Sequence, residues 1–169
     1  MKLCGTAISL ISAAAAVLLP GCHKIDHNRL PPAPVHLVFQ TVADWNLYGT
    51  PGAMDSREFI KTNDMRVPAN YPYTALNQTG FGGILICGDV YGAPCAYDLA
   101  CPVEMKADVS IRVDRETNKG VCDRCGSTYD IFSNYGYPLS GPAAEHGYGL
   151  ERYYIGAGRN MEYMVVSRN

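Results

Sequence analysis

Four of the chain's seven cysteines fall within residues 95–129, and they constrain what the rest can fold into. Cys95 and Cys101 have five residues between them. Cys122 and Cys125 form a Cys-x-x-Cys pair in Cys122-Asp123-Arg124-Cys125-Gly126-Ser127-Thr128-Tyr129. Two thiol-bearing loops on short strands are how a small β domain grips a metal ion or an iron–sulfur cluster. The surrounding chain must hold both loops in place.

The rest of the sequence fits that demand. With 169 residues, one domain is the natural expectation. Seventeen Gly, eleven Pro and twelve Tyr stand against four Phe and one Trp, a turn-rich balance that favours strands. No long stretch has a 3.6-residue apolar period. Val35, Leu37 and Phe39 alternate onto one face and predict a first strand. Trp45 reads as a packing anchor, and Tyr71-Pro72-Tyr73 as a cover for one side of the core. Residues 84–87 read as a buried central strand, with Cys87 a small core residue, and 95–99 as the next strand of the same meander. Residues 109–113 alternate cleanly, 114–119 turn, and the chain returns at Gly120. Residues 150–155 and 161–166 predict a closing hairpin. The expectation is an all-β domain over residues 35–169.

The N-terminus reads as an address rather than as fold. Lys2 supplies a positive start, and 8–19 is an apolar run of signal-peptide length. It ends in Leu18-Leu19-Pro20-Gly21-Cys22, which resembles a bacterial lipobox. That implies a signal over 1–21, lipidation of Cys22, and attachment to the periplasmic or cell-surface face of a bacterial membrane. Residues 22–34, with Leu30-Pro31-Pro32-Ala33-Pro34, then read as an extended tether. Net charge is -2 with both signs interspersed, so no basic stripe argues for nucleic acid.

Ala96-Tyr97-Asp98-Leu99-Ala100-Cys101-Pro102 is similar to the first cluster loop of Rieske-type iron–sulfur domains, Cys-x-His-x-Gly-Cys-Pro. The stretch from Cys122 to Tyr129 resembles their second loop, Cys-x-x-His-Gly-Ser-x-Tyr or Phe. Gly141-Pro142-Ala143 resembles their proline loop, and residues 150–153 their closing strand. The resemblance implies an antiparallel β-sandwich carrying a small two-loop, rubredoxin- or zinc-ribbon-like metal-binding subdomain, with loops at about 95–104 and 121–130. Its ligands depart from the pattern. The first-loop cysteine position is Ala96 and the first-loop histidine position is Asp98. Cys122 is retained, and the second-loop histidine is replaced by Cys125. The extra disulfide cysteine of some members is Cys101, and its partner position is Arg124. A histidine-ligated Rieske centre is therefore not expected.

Three occupancies stay open. Cys95, Cys101, Cys122 and Cys125 can bind [2Fe–2S], a single iron or zinc as four thiolates, with Asp98 completing the site if Cys95 points away. In an exported protein they can instead be disulfides, Cys101 pairing with Cys122 or Cys125. Or the fold can carry no cofactor and serve as a binding module. Through the resemblance, Ser127 and Tyr129 are expected to donate hydrogen bonds to sulfur and tune potential. Glu104 and Asp108 read as solvated charges. No Gly-x-Ser-x-Gly elbow or His-Glu-x-x-His is present, so an enzyme is not expected. The functional expectation is a membrane-anchored electron-transfer or redox accessory lipoprotein with a redox partner protein. The alternative is a non-redox scaffold or binding lipoprotein held by a disulfide or zinc.

Overall fold

Val35, Leu37 and Phe39 are buried and His36 and Val38 are half-buried, so the alternating stretch forms β1 (Val35–Phe39). The computed structural model describes residues 24–49, 52–158 and 162–168. Among them, α1 (Val42–Tyr48) follows β1 directly. Its start is a reciprocal cap: the Asp44 amide donates to Thr41 Oγ1 at 3.1 Å, and the Thr41 amide donates to Asp44 at 3.0 Å. Trp45 turns inward from this helix and meets Phe39 edge-on at 5.1 Å. The chain continues through β2 (Ser56–Lys61), β3 (Arg66–Val67), β4 (Gln78–Thr79), β5 (Ile84–Gly88) and β6 (Pro94–Asp98). Then come β7 (Arg112–Asp114), β8 (Lys119–Val121), β9 (Thr128–Asp130), β10 (Tyr137–Ser140), α2 (Pro142–His146), β11 (Arg152–Ala157) and β12 (Met164–Arg168).

The strands form two antiparallel sheets. The larger has eight strands in the order β3-β2-β5-β6-β11-β12-β1-β4. It curls into a half-barrel, and its ends approach where the Lys61 amide donates to Thr79 Oγ1 at 3.1 Å. The smaller is the meander β10-β9-β8-β7.

β5 is buried at every position and divides two cores. Ile84 and Ile86 face Phe39, Phe59 and Tyr71 inside the half-barrel. Leu85 and Cys87 face the small sheet, where Tyr97, Ile111, Tyr129, Ile131 and Leu150 pack. Each such aliphatic side chain contributes about 1.5–3 kcal/mol by leaving water. The small sheet is held mainly through this second core, because β7, β8 and β9 have three residues each.

The all-β expectation holds in outline: the described residues are mostly β, with two short helices. Both helices are too short to show a 3.6-residue period, and α2 is five residues long, with Pro142 at its start and Gly147 left-handed at its end. The described part of the stretch read as an extended tether is docked on the domain. Leu30 is 3% exposed, the Asp26 amide donates to the Gly147 carbonyl at 2.8 Å, and the Gly149 amide donates to Asp26 O at 2.9 Å. Leu30 and the Asp26 backbone are thus satisfied on the domain. The signal segment and Cys22 lie outside the described residues.

Candidate metal centre

The second loop is closed by its own backbone. Val121 pairs with Thr128, the Cys122 amide donates to Ser127 O at 3.0 Å, and the Gly126 amide donates back to Cys122 O at 2.9 Å. Gly126 has φ +71° with open space around it, so glycine serves conformation here, not clearance. The first loop leaves the large sheet after β6. Ala100 bridges to Ser110, the Cys101 amide donates to Val109 O at 2.9 Å, and the Met105 amide donates to Cys101 O at 2.9 Å.

These closures bring three sulfurs together. The Sγ atoms of Cys101, Cys122 and Cys125 all lie within 4.8 Å of one another, and Cys101 and Cys125 are 3.7 Å apart. An ion bound tetrahedrally at a metal–sulfur distance of about 2.3 Å separates its thiolates by roughly 3.8 Å. The spacing therefore fits one ion. Cys101 and Cys122 are buried and Cys125 is half-buried, so the site sits just beneath the surface.

Polar groups surround the sulfurs. The Cys125 thiol donates to Ser127 Oγ at 3.1 Å, and the buried Ala143 amide donates to the same oxygen at 3.1 Å. Tyr129 Oη lies 3.6 Å from Cys101 Sγ. Burial pushes the Cys101 thiol up to about 12, against the Tyr129 hydroxyl and the Glu104 and Val103 amides that face its sulfur. Burial also raises Cys125, but the Ser127 hydroxyl and amide, with the Cys122 and Cys101 thiols, bring it below the ordinary thiol value. Tyr129 is raised, by burial first and then by Cys101. A cation entering here meets a protonated Cys101 at neutral pH and must displace its proton.

α2 seats against the second loop. Gly141 has φ +73°, and a Cβ there would come within 3.0 Å of Ser127 Cα. This is the Gly-Pro-Ala stretch, and its role in the structure is to hold Ser127.

Cys95 does not join the cluster. It lies six positions before Cys101, within β6, and is not among the cysteines whose sulfurs converge. It stands opposite Cys87 in the β5–β6 ladder, its thiol 3.4 Å from Cys87 O and 3.6 Å from Ile131 O. Asp98 does not complete the site either. Its side chain is buried and accepts from the Phe81 amide at 2.8 Å, the Gly82 amide at 3.0 Å, the Ala100 amide at 2.7 Å and Tyr153 Oη at 2.5 Å. Strand alternation explains Asp98, which faces away from Cys101, whereas Cys95 shares the face of Cys101 but stands near the start of β6, opposite Cys87. Ala96 packs in the half-barrel core with Tyr153, the hydroxyl partner of Asp98, whereas Tyr97, Leu99 and Cys101 face the small sheet. The first loop accordingly begins at Leu99, and the positions matched to the first cysteine and histidine are strand positions on the far face. The five described cysteines are free thiols in this structure, Cys101 and Cys125 with their sulfurs 3.7 Å apart.

One contact lies outside the expected set. Arg124 Nε and Glu104 Oε2 are 3.6 Å apart across the two loops, with the Glu104 side chain 19% exposed. The signal was the Cys101-x-x-Glu104 spacing, which repeats the spacing of Cys122 and Cys125.

Comparison with protein-family models, with curated proteins and with solved structures finds no match to this chain.

Proposed function

We propose that this chain is an exported, lipid-anchored protein whose Rieske-like domain binds one soft metal ion, iron or zinc, at Cys101, Cys122 and Cys125. The convergence of three sulfurs within 4.8 Å carries the reading. Thiolates select zinc or iron over the hard cations. A [2Fe–2S] cluster takes four protein ligands divided between two irons. Three thiols converging on one point suit a single ion better. Cys101, Cys122 and Cys125 would hold it, with Ser127 and Tyr129 beside the sulfurs. Bound iron would supply one-electron chemistry, and the half-buried Cys125 gives that site an edge toward a redox partner. Nothing in this reading requires catalysis. Lipidation at Cys22 would keep the domain at a membrane surface.

A second reading is a zinc-held scaffold, in which the ion is a staple. The three-residue strands β7, β8 and β9 favour it, because so short a meander has little ladder of its own.

The deciding experiment is metal analysis with visible spectroscopy on residues 24–169, purified without oxygen. Iron with thiolate charge-transfer absorption, lost in Cys122→Ser, supports electron transfer. Zinc alone supports the scaffold. A metal-free protein that takes up neither ion sinks the metal reading. Labelled fatty acid incorporated by the full chain but not by Cys22→Ser tests the anchor.

A further inference from the structure

The two loops of the centre are built on one backbone plan. In each, a cysteine follows a residue paired across the hairpin: Ala100 with Ser110 in the first, Val121 with Thr128 in the second. In each, the cysteine amide donates to the residue just before the returning strand partner, Val109 O or Ser127 O. In each, the amide four residues on donates back to the cysteine carbonyl, from Met105 and from Gly126, both at 2.9 Å. Those two residues are both left-handed, at φ +52° and +71°. Methionine rarely adopts that conformation, so the first loop is held to the same turn as the glycine loop. The first loop differs by a three-residue insertion, 106–108, after the shared turn.

Superposing the plans matches Cys101 with Cys122, Met105 with Gly126, and Glu104 with Cys125. Three of the four ligand positions of a two-loop centre are the three clustered cysteines. The fourth is Glu104.

We propose that Glu104 is the fourth ligand, giving a three-thiolate, one-carboxylate site. The inference rests on the single-ion reading above. A carboxylate oxygen is an ordinary zinc donor at about 2.0–2.2 Å. Glu104 starts from the backbone position equivalent to that of Cys125; its carboxylate is turned to Arg124 and outside the sulfur cluster in this structure, and ligation requires its side chain to swing toward the ion. Arg124 holds the carboxylate loosely, at 3.6 Å, and is 58% exposed, so the direct contact can open while the guanidinium stays near the site. Three thiolates and a carboxylate on a divalent ion leave excess negative charge, which Arg124 beside the site offsets. The mixed sulfur–oxygen set favours zinc or ferrous iron over cuprous copper, which prefers sulfur alone.

The test is cobalt(II) titration of reduced, metal-free residues 24–169, comparing wild type with Glu104→Gln and Glu104→Cys. Cobalt reports ligand number and geometry through its visible bands. Wild type is expected to bind one ion with three-thiolate charge transfer. Glu104→Gln should weaken binding at least about tenfold and alter the ligand-field bands. Glu104→Cys should restore tight binding and add thiolate intensity, as its equivalence to Cys125 requires. A Glu104→Gln protein with wild-type affinity and spectrum would overturn the inference and leave the three-thiol site standing. Failure of wild type to bind cobalt or zinc would overturn the metal reading and this inference with it. Circular dichroism of the metal-free variants separates lost ligation from lost folding.

Discussion

Ser127 Oγ accepts from the Cys125 thiol and from the Ala143 amide, each at 3.1 Å, and so joins the sulfur cluster to α2. The serine is wholly buried. Removing its hydroxyl leaves the Ala143 amide without that partner and Cys125 without its closest polar neighbour. Ser127→Ala should cost about 1–3 kcal/mol in the metal-free protein, the usual penalty for an orphaned buried donor. It should also weaken metal binding about 10–100-fold, as loss of a group supporting a ligand does. Urea unfolding and metal titration measure the two separately. Unchanged affinity with lowered stability would make Ser127 a purely structural link.

Asp98 marks the opposite case, a residue whose work lies outside the centre. Burial raises its carboxyl above the ordinary range, with the Tyr153 hydroxyl and the Ala100, Phe81 and Gly82 amides pulling it back. Each oxygen serves two of these donors, so an amide in place of the carboxylate orphans one pair. Asp98→Asn should destabilise the domain by about 1–3 kcal/mol per orphaned amide. Metal stoichiometry should stay at one ion, because Asp98 faces the other core. Loss of the ion in a still-folded Asp98→Asn protein would contradict this placement.

The local part of the centre was legible in the sequence. Cys122, Cys125, Ser127 and Tyr129 lie within one tight turn and the strand it feeds, so their proximity follows from short-range geometry. Cys101 was legible as the thiol of the other loop. Cys95 was misplaced because its neighbours are set by the β5–β6 register, which puts it opposite Cys87. Asp98 carried a warning in the alternation itself, since every second residue from Ala96 turns away from Cys101. The resemblance to a Rieske loop points to Asp98, its first-loop histidine position, and not to Glu104, while Cys95 follows from cysteine spacing alone. The strand order β6-β11-β12-β1 depends on long-range pairing and left no local mark. By contrast, Thr41-x-x-Asp44 was a readable helix start, passed over because seven residues show no period.

The docked segment before β1 makes a third prediction. His27 Nδ1 lies 2.8 Å from Leu150 O, and the Arg29 guanidinium sits 4.0 Å above the Tyr148 ring. Burial of Leu30 alone contributes about 1.5–3 kcal/mol. A chain beginning at Val35 should unfold at lower temperature than one beginning at Lys24, by the equivalent of at least about 2 kcal/mol. Gly149→Ala offers an independent check. A Cβ there would come within 2.4 Å of the His27 ring, so the variant should undock the segment and lose similar stability. Thermal unfolding of the three proteins settles it, and equal midpoints would show the contacts to be idle.

Cys87 and Cys95 form a second thiol pair with a different chemistry. The Cys87 thiol hydrogen-bonds Cys95 and lowers its pKa, overcoming burial, which acts in the other direction. Cys87 moves the opposite way, raised by that same hydrogen bond and by its own burial. Cys95 is half-buried at the rim of a hollow lined by Asp89, Tyr91, Phe132 and Tyr135, whereas Cys87 has no exposed surface. The thiolate is the nucleophile, so a lowered pKa keeps the reactive form present to lower pH. In a Cys125→Ser background, iodoacetamide should modify Cys95 first, with a rate midpoint below that of an ordinary thiol. Cys87→Ala removes the hydrogen bond and should move that midpoint upward. Peptide mapping across a pH series reads both effects. Equal rates at Cys87 and Cys95, or a midpoint unmoved by Cys87→Ala, would show that the pair is not coupled in solution.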